Sequence, residues 1–413
     1  MEYIRLRGMK PLSGSLGIRG AKNSVLPILA GSLLFTQSCQ VSNCPGLSDV
    51  DAALRILEHL GCKGEKSGDR VCLDSRGLRD NRLPQELMSA MRSSVLFLGP
   101  LLARTGSCSL YHPGGCCLGQ RPIDLHLLGL QKMGAEVSYE GEQLTLRGKL
   151  RGTSIFLPFP SVGATENLLM AALGAEGTTT IYNAAREPEI GDLIGFLRTG
   201  GARISGAGTS MLQISGGFPQ AGLYAVMPDR MEAATFLSAC AAAGGEIELT
   251  QMKPLHLTAF LDALTAAGCE IKADRDKIYL RAPGRLKAIP PVRTAPYPGF
   301  PTDAQATLMA AMLKSEGTTL FEENIFSDRF RHVKALRSLG AEIQTAGSLA
   351  AVTGVKSLHG AAMEATDLRG GAAMVVAALG AEGESLVTGT AHILRGYENF
   401  PQRLRSLGAD IEV

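Results

Sequence analysis

The feature that most constrains this chain is an internal repeat that runs along its whole length. A helical pattern that ends in Gly-Ala or Gly-Cys and leads into a short apolar strand occurs at Gly61-Cys62, Gly134-Ala135, Gly201-Ala202, Gly268-Cys269, Gly340-Ala341 and Gly408-Ala409. Successive markers are 73, 67, 67, 72 and 68 residues apart. A second marker, a small-residue helix that stops at a glycine and enters a strand, occurs at Gly106, Gly177, Gly245, Gly317 and Gly383. Two markers with one period of about 70 residues predict six copies of one unit.

Each unit alternates helices with strands, which predicts an α/β fold. The fourth unit is the clearest: its pattern predicts helices over about 229–243 and 257–267 and strands over 247–249, 271–273 and 278–280. A chain of 413 residues is too long for one ordinary core, so six units divide into two domains of three. We place the first domain at residues 20–228 and the second at 1–19 plus 229–413, because the first residues can supply a strand to the C-terminal half.

Composition excludes several classes of protein. The net charge is +2 with no block of Lys or Arg, so no nucleic-acid partner is expected. The charged N-terminus lacks a signal-peptide core, and the longest apolar stretches are too short to span a membrane, so we expect a soluble cytoplasmic protein. The nine cysteines are odd in number and form no C-x-x-C pair, which indicates reduced thiols rather than zinc ligands.

Nucleotide hydrolysis, nicotinamide chemistry and metal chemistry all lack their usual patterns. There is no Walker loop, no G-x-G-x-x-G after a strand and no cluster of His and Asp residues. The sequence therefore predicts neither a cofactor nor a metal.

Five of the six predicted starts of the small-residue helices carry a charge. Roughly 13–16 residues before the five second markers, and before a less distinct sixth near Ser38, lie Lys22, Arg92, the segment 161–164, Asp229-Arg230, Asp303 and Asp367-Arg369. If the six copies are related by pseudo-symmetry, their helix N-termini can converge, and such N-termini with Lys and Arg form an anion site. The alternative for any one position is a solvated helix cap.

A glycine-rich segment, Pro113-Gly114-Gly115-Cys116-Cys117, precedes the next predicted helix. Pro122 suits the first turn of that helix. A thiol beside Arg121 and a helix start has the setting of a reactive cysteine. The alternative is a glycine turn with two incidental thiols.

Lys22 and Asp303 occupy two of the predicted helix starts. A lysine there opposes the helix dipole, which favours a bound anion, although the side chain can instead reach into solvent. Asp303 follows three prolines and a glycine in the segment 294–302, which would hold a general base still. Thr302 and Gln305 have the spacing of a capping box, and Asp303 can also be only a favourable first-turn acid.

Four arginines are candidates for binding a phosphate or carboxylate group in a fixed orientation. They are Arg92, Arg329, Arg369 and Arg395. Each one taken alone is more commonly a surface or structural residue.

These segments together resemble the enolpyruvyl transferase family, and in particular its branch that acts on UDP-N-acetylglucosamine. The resemblance covers essentially the whole chain. It rests on residues 20–23, 114–116, 121–126, 161–167, 185–190, 301–303 and 395–398. It implies two inside-out α/β barrel domains, each of three repeats, with the active site in the cleft between the domains.

The resemblance also implies a reaction and its residues. The family moves the enolpyruvyl group of phosphoenolpyruvate to the 3′-hydroxyl of UDP-N-acetylglucosamine and releases phosphate, the first committed step of peptidoglycan precursor synthesis. By matching position, Asp303 is the general base and Cys116 the thiol that protonates the methylene carbon. The matching cations for phosphoenolpyruvate are Lys22, Arg121, Arg329, Arg369 and Arg395.

The sugar nucleotide is implied to contact Asn23, Arg92, Arg121, Pro122, Ile123, Asp124, Leu125, Ser161, Val162, Gly163, Asp303 and Ile325. No oligomer is required to complete such a site. Departures from the family pattern are mild: Ser327-Asp328 precedes Arg329, Leu394 precedes Arg395, and Cys117 adjoins the loop thiol. Two alternatives stay open, a shikimate 3-phosphate enolpyruvyl transferase and a non-catalytic UDP-sugar-binding paralogue.

Overall fold

The chain forms two compact units. The computed structural model describes residues 2–111 and 123–413, apart from the side chains of Ala90 and Arg92. Within these residues, the first unit comprises 20–111 and 123–227, and the second unit comprises 2–19 and 228–413. None of the helices in the described ranges has the length and apolar content needed to cross a lipid bilayer.

The strands are short, and their bounds in chain order are β1 Tyr3–Arg7, β2 Leu12–Gly17, β3 Cys39–Ser42, β4 Lys63–Ser67, β5 Arg70–Asp74, β6 Arg82–Leu83, β7 Ser107–Tyr111, β8 Glu136–Glu140, β9 Gln143–Arg147, β10 Ser154–Phe156, β11 Thr178–Tyr182, β12 Ile204–Ser205, β13 Met211–Ser215, β14 Gly222–Ala225, β15 Gly245–Thr250, β16 Glu270–Ala273, β17 Ile278–Arg281, β18 Val292–Arg293, β19 Thr318–Glu322, β20 Glu342–Ala346, β21 Leu349–Thr353, β22 Ala362–Glu364, β23 Glu384–Thr388 and β24 Asp410–Glu412.

The α-helices in chain order are α1 Lys22–Gly31, α2 Ser48–His59, α3 Gln85–Ala90, α4 Leu98–Thr105, α5 Asp124–Lys132, α6 Val162–Ala172, α7 Pro188–Thr199, α8 Arg230–Ala243, α9 Thr258–Ala266, α10 Thr302–Ala311, α11 Val333–Ser338, α12 Leu368–Leu379, α13 Thr390–Leu394 and α14 Phe400–Ser406. The described residues also form 3₁₀ helices at Ser32–Leu34, Arg92–Phe97, Pro254–Leu257 and Met312–Lys314. In the fourth repeat the observed elements α8, β15, α9, β16 and β17 confirm the predicted alternation.

Six four-stranded sheets share one pairing pattern, in which a parallel pair is followed by two antiparallel pairs. The orders are β14-β3-β5-β4, β6-β7-β9-β8 and β10-β11-β13-β12 in the first unit, and β2-β15-β17-β16, β18-β19-β21-β20 and β22-β23-β1-β24 in the second. The identical pattern confirms six copies of one α/β unit. The N-terminal strand β1 lies between β23 and β24, where Leu6 pairs with Ser385 and Ile411.

The marker glycines explain why the repeat is visible in the sequence. All six glycines of the first marker have φ between 90° and 100°, a conformation that residues with a Cβ rarely adopt. At this point the chain leaves a helix and turns back into a strand of the same unit. Each repeat therefore needs a glycine at this one position, and the spacing of these glycines makes the repeat visible in the sequence.

The small-residue helices, such as α10 and α12, lie inside their unit, and the sheets lie outside. In α12 every residue from Arg369 to Leu379 is buried, and α10 is buried from Ala304 to Ala311. Helices buried on all sides are apolar all round. In the second unit α8, α10 and α12 contact one another, while strands such as β19 alternate buried and exposed residues. This inside-out arrangement places the first turns of the buried helices, with their charged residues, at the ends of a packed helical core.

Candidate active site

The acidic residue near the start of α10 is held by two buried arginines. Oδ1 of Asp303 accepts a hydrogen bond from Nη2 of Arg329 at 2.9 Å, and Oδ2 accepts one from Nη2 of Arg369 at 3.0 Å. The two arginine side chains are 2% and 4% exposed, against 29% for Asp303. Because each carboxylate oxygen has its own cationic donor, the plane of the carboxylate is fixed.

The approach to α10 differs from the predicted capping box. Pro301 occupies the N-cap position in an extended conformation and offers no side-chain cap. The hydroxyl of Thr302 donates instead to Oε2 of Glu323 at 2.9 Å. The prediction that Thr302 and Gln305 cap the helix reciprocally is therefore wrong, because a carboxylate from the end of a neighbouring strand takes the hydroxyl proton.

Glu323 connects this helix start to the segment that contains Ile325. Its Oε1 accepts hydrogen bonds from the backbone N–H groups of Ile325 at 2.9 Å and Phe326 at 3.0 Å, and the residue is 3% exposed. One buried carboxylate thus sets Ile325 relative to Asp303. Arg329 strengthens the same junction, since its Nη2 also donates to the Thr302 carbonyl at 2.9 Å.

Arg369 lies in the first turn of α12 and is fully buried. Asp367 caps this helix, its Oδ1 accepting from the N–H groups of Arg369 at 3.1 Å and Gly370 at 2.9 Å. Burial lowers the pKa of the Arg369 guanidinium, but Tyr397, Asp303 and Asp229 raise that pKa by more, so it lies above its usual value. The guanidinium therefore stays charged at any physiological pH.

The two arginines keep donors that no described residue engages. Nε of Arg329 and Nε of Arg369 have no hydrogen-bond partner among the described residues. The neighbouring His332 is buried, and burial, which outweighs the raising effect of Asp367, lowers the pKa of its ring to about 4. A neutral histidine leaves the positive charge to the arginines, and buried guanidinium donors of this kind suit an anionic ligand.

Arg395 lies at the C-terminal end of α13. It is half-buried and comes two residues before Tyr397, whose side chain is fully buried. Gly396 lies between them, and a Cβ added there would meet the Leu368 side chain at 2.5 Å. Close packing of the Arg395-Gly396-Tyr397 segment on the start of α12 therefore requires the glycine.

In the first unit, Lys22 begins α1 and forms an ion pair with Asp49. The distance from Nζ to Oδ2 is 2.8 Å, and the two side chains are 10% and 6% exposed. Asp49 lies in the first turn of α2. The unfavourable position of Lys22 at a helix N-terminus is thus relieved by a protein carboxylate. Asn23, next in the chain, is exposed.

The segment Ser161 to Gly163 forms the start of α6. Ser161 is the N-cap, and its hydroxyl accepts from the Ala164 N–H at 3.4 Å, while its carbonyl accepts from the Thr165 hydroxyl at 2.8 Å. A Cβ added at Gly163 would lie 3.3 Å from Cε1 of His126. Glycine at this position therefore lets the His126 ring lie against the start of α6.

Asn167 joins the elements on which the predicted sugar-nucleotide residues lie. Its Oδ1 accepts from the Gly99 N–H at 2.7 Å, and its Nδ2 donates to the Val95 carbonyl at 3.0 Å and to Nδ1 of His126 at 2.8 Å. The ring proton of His126 is therefore on Nε2. Through this amide the start of α5, with Ile123, Asp124 and Leu125, is brought beside the start of α6, with Ser161, Val162 and Gly163.

Glu166 is a buried acid one residue before Asn167. Burial raises its pKa well above the usual value, and the charges of Glu189 and Glu187 raise it further. The carboxyl is therefore protonated at a pH where an ordinary glutamate is ionised. Nothing in the sequence pattern singled out this residue.

Several predicted residues lie outside what the structure describes. Cys116, Arg121 and Pro122, with Cys117, fall in the undescribed range. Arg92 begins the 3₁₀ helix Arg92–Phe97, but its side chain is not described. Their assigned roles stay predictions.

Comparison with known proteins decides the family. Residues 6–404 match the family described as EPSP synthase (3-phosphoshikimate 1-carboxyvinyltransferase). The chain is also 44% identical over 413 residues to UDP-N-acetylglucosamine 1-carboxyvinyltransferase 2 of Caldanaerobacter subterraneus subsp. tengcongensis, covering 100% of this chain and 99% of that protein. The chain belongs to the enolpyruvyl transferase family. A second relative, the UDP-N-acetylglucosamine 1-carboxyvinyltransferase of Finegoldia magna, is 44% identical over 418 residues, with 100% and 99% coverage.

Solved enolpyruvyl transferases share the fold. The enolpyruvyl transferase NikO from Streptomyces tendae superposes with a TM-score of 0.90 at 23% identity, covering 99% of this chain and 98% of that one. EPSP synthase from Acinetobacter baumannii gives a TM-score of 0.76 at 20% identity, covering 100% and 99%. At these identities the likeness is one of fold, and it confirms the expected enolpyruvyl transferase architecture of six α/β repeats.

The sequence reasoning missed several residues that support the site of this enolpyruvyl transferase. They are Asp49, Asn167, Glu323, His332 and Tyr397. Tyr397 and His332 had a usable signal, since each lies within three residues of a candidate arginine. Asp49 and Glu323 had none, because their pairing with Lys22 and Thr302 connects elements that lie far apart along the chain.

Proposed function

We propose that this enolpyruvyl transferase moves the enolpyruvyl group of phosphoenolpyruvate to the 3′-hydroxyl of UDP-N-acetylglucosamine and releases phosphate. The full-length relatives at 44% identity bear the name of that activity. The observation in the site that carries the proposal is the carboxylate of Asp303 with one buried arginine on each oxygen. A sensor that only binds a UDP-sugar does not need a carboxylate oriented in this way.

Asp303 acts in this proposal as the base that takes the proton of the acceptor hydroxyl, whose oxygen then bonds to the enol carbon of phosphoenolpyruvate. The methylene carbon gains a proton and later loses one as the bond to the phosphate oxygen breaks, so the enol double bond is restored in the product. Cys116 is proposed as the proton donor. Its role rests on the resemblance alone.

The cations bind the phosphate and carboxylate of phosphoenolpyruvate. Lys22, Arg329, Arg369 and Arg395 are the described candidates, and Arg121 is the fifth. The unused Nε donors of Arg329 and Arg369 support this role, because a buried guanidinium N–H without a partner costs free energy that an anion can recover.

The sugar nucleotide is proposed to contact the starts of α5 and α6, together with Asn23, Arg92, Asp303 and Ile325. Oxygen atoms of a diphosphate are well suited to the free backbone N–H groups of a helix N-terminus. A cytoplasmic location belongs to the same proposal, because both substrates carry several negative charges and do not cross a bilayer unaided. An oligomer is not part of it.

The competing acceptor is shikimate 3-phosphate, the substrate of the enzyme for which the matching family is named. Release of phosphate from phosphoenolpyruvate, measured with each acceptor in turn, separates the two. We expect release with UDP-N-acetylglucosamine and none above background with shikimate 3-phosphate. The reverse result would assign the shikimate reaction, and no release with either acceptor would favour a binding protein.

A further inference from the structure

A chain of hydrogen bonds runs from the backbone of α8 to the carboxylate of Asp303. Oη of Tyr397 lies 2.8 Å from Oγ1 of Thr235, and Nη1 of Arg369 donates to the same Oη at 2.9 Å. The Thr235 hydroxyl also lies 2.9 Å from the Met231 carbonyl, which can only accept. Nη2 of Arg369 then reaches Oδ2 of Asp303 at 3.0 Å.

The direction of every bond in the chain is determined by chemistry. A guanidinium has no acceptor, so Tyr397 accepts from Arg369. The proton of Thr235 is used on the Met231 carbonyl, so the hydroxyl proton of Tyr397 points to Thr235. Burial raises the pKa of the Tyr397 phenol against the lowering effect of Arg369, so the phenol keeps that proton.

The members of the chain are sealed from water. Tyr397 and Thr235 are each 1% exposed and Arg369 is 3% exposed. No water can replace a lost partner without a structural change. Deleting the Tyr397 hydroxyl therefore leaves a donor of the Arg369 guanidinium unsatisfied, and deleting the Thr235 hydroxyl leaves the Tyr397 phenol without its acceptor.

The ring of Tyr397 is held independently of its hydroxyl. It stacks on Phe400 with centroids 4.8 Å apart, and Phe400 in turn packs on Phe236 of α8 at 5.7 Å. A phenylalanine at this position keeps these contacts. The packing role and the hydrogen-bonding role of Tyr397 can therefore be separated by one substitution.

We propose that Tyr397 and Thr235 are positioning residues of the transfer reaction, which hold Arg369 so that it orients the carboxylate of Asp303. Neither is assigned a contact with substrate. The proposal rests on the proposed function, in which Asp303 is the base. It assigns a purpose to the tyrosine that follows Arg395 and Gly396 in the sequence.

The test compares Tyr397→Phe and Thr235→Val with the control Tyr279→Phe. The control removes a tyrosine hydroxyl from the same unit, one that donates to Glu246 on an exposed sheet face. We expect kcat to fall about tenfold or more in Tyr397→Phe, the loss that follows from one charge-assisted hydrogen bond, and about threefold in Thr235→Val, which removes a bond between two neutral hydroxyls. KM for UDP-N-acetylglucosamine should stay within about twofold of its original value in both variants. The control should keep its kcat. An unchanged kcat in Tyr397→Phe would overturn the proposal.

A second comparison distinguishes positioning from general damage. In an Asp303→Asn background, Tyr397→Phe should cause little further loss, because the carboxylate that it serves is already gone. Losses that multiply would mean that Tyr397 acts elsewhere. If Tyr397→Phe does not fold, Thr235→Val provides the same double-variant comparison.

A crystal structure of the Tyr397→Phe variant tests the inference without any assay, so its failure is distinguishable from a failure of the proposed function. We expect Nη2 of Arg369 to leave Oδ2 of Asp303. If the two atoms keep their present separation of 3.0 Å, the chain does not orient Asp303 and the inference is wrong, whichever acceptor the enzyme uses.

Discussion

Asp303 has two functions that a substitution affects together. It is the proposed base, and it is also the carboxylate that neutralises two arginines whose side chains are 2% and 4% exposed. Removing it leaves two buried guanidinium groups without their counter-charge, an unfavourable arrangement in a low-dielectric interior. Loss of activity in a variant at this position must therefore be read beside a measurement of stability.

Replacing Asp303 with Ala should lower kcat by roughly 10²–10⁴, the usual range for a general base, with a much smaller change in KM for the sugar nucleotide. Steady-state kinetics on the folded variant, confirmed by circular dichroism, provide the measurement. Asp303→Asn keeps the shape and the acceptor oxygen and should show the same loss of turnover with less effect on stability. Near-normal kcat with a raised KM would reduce Asp303 to a substrate contact.

Glu166 should make the folded protein less stable as the pH rises. Its pKa is raised in the folded protein, so the stability associated with it is fully present below about pH 4.3, the ordinary glutamate pKa, and is lost as pH rises through the raised value. Glu166→Gln resembles the protonated acid. We expect the variant to melt a few degrees above the parent at pH 8, with the difference shrinking toward pH 5.

Glu176→Gln is the matched control for this measurement. Glu176 lies on the surface of the same unit, and its hydrogen bond with Lys149 lowers its pKa, so the substitution should give no stabilisation. A melting temperature of Glu166→Gln that is equal to or below that of the parent at pH 8 would show that the Glu166 carboxyl is ionised without penalty.

At the scale of elements, Asn167 ties four of them together. Its side chain bonds to the 3₁₀ helix Arg92–Phe97 through Val95, to α4 through Gly99 and to α5 through His126, while its own backbone belongs to α6. A Cβ added at Gly99 would lie 2.3 Å from the Asn167 carbonyl oxygen, so α4 and α6 meet at backbone distance here. The geometry of the predicted nucleotide-binding starts of α5 and α6 depends on this one amide.

Asn167→Ala should lower the free energy of unfolding by about 2–4 kcal/mol, because it leaves a backbone N–H, a carbonyl and a ring nitrogen buried without partners. Denaturant titration measures the change. Asn167→Asp keeps the acceptor for Gly99 and loses the donors to Val95 and His126, so it separates these contributions. If Asn167→Ala unfolds at the same denaturant concentration as the parent, the amide does not hold the elements together.

The sequence predicted helices and strands better than it predicted the contacts between them. The helix over 230–243 and its following strand were predicted within a few residues, because Asp229 is a recognisable cap and Gly245 a recognisable stop. The capping box at Thr302 failed because Glu323, distant in sequence, competes for its hydroxyl. Asn167 and Tyr397 lie in recognised segments, but their contacts were not predicted for the same reason: periodicity describes one element at a time, whereas a hydrogen bond between elements depends on the tertiary fold.

Some arginines stabilise the fold, and the sequence alone does not distinguish them from arginines that bind a ligand. Arg198, Arg337 and Arg405 each donate through Nε and Nη2 to the carbonyl six residues ahead, across the marker glycine of their own repeat. Because the same pair of hydrogen bonds occurs in three repeats, these arginines are part of the fold. Arg329 and Arg369 break this pattern by bonding to a carboxylate of another element.

On the scale of the whole molecule, the repeat and the inside-out arrangement were predictable, and the packing of the core was not. Six glycine markers were enough for the count of units. Each sheet then contributes one buried face, and helices such as α8, α10 and α12 meet inside. Their alanines and glycines follow from that contact, since larger side chains would force the helices apart.

Ala373→Leu should therefore destabilise the protein by overpacking. Ala373 is fully buried in α12, and added methylenes in a packed core cost about 1–3 kcal/mol. For a unit of this size, each kcal/mol corresponds to a melting temperature about 2–4 °C lower. Ala362→Leu, on the exposed side of strand β22, is the control and should melt with the parent. Equal melting temperatures for both variants would mean that the helical core can accommodate a larger side chain at Ala373.

The crowded helical centre also has an optical consequence. The chain contains eight tyrosines and no tryptophan. Its ultraviolet emission therefore comes from tyrosine alone, including Tyr397, whose ring is stacked on Phe400 beside a guanidinium. An indole introduced at the exposed Phe156 would be the sole tryptophan of the molecule, and its emission would report the first unit without interference from the second.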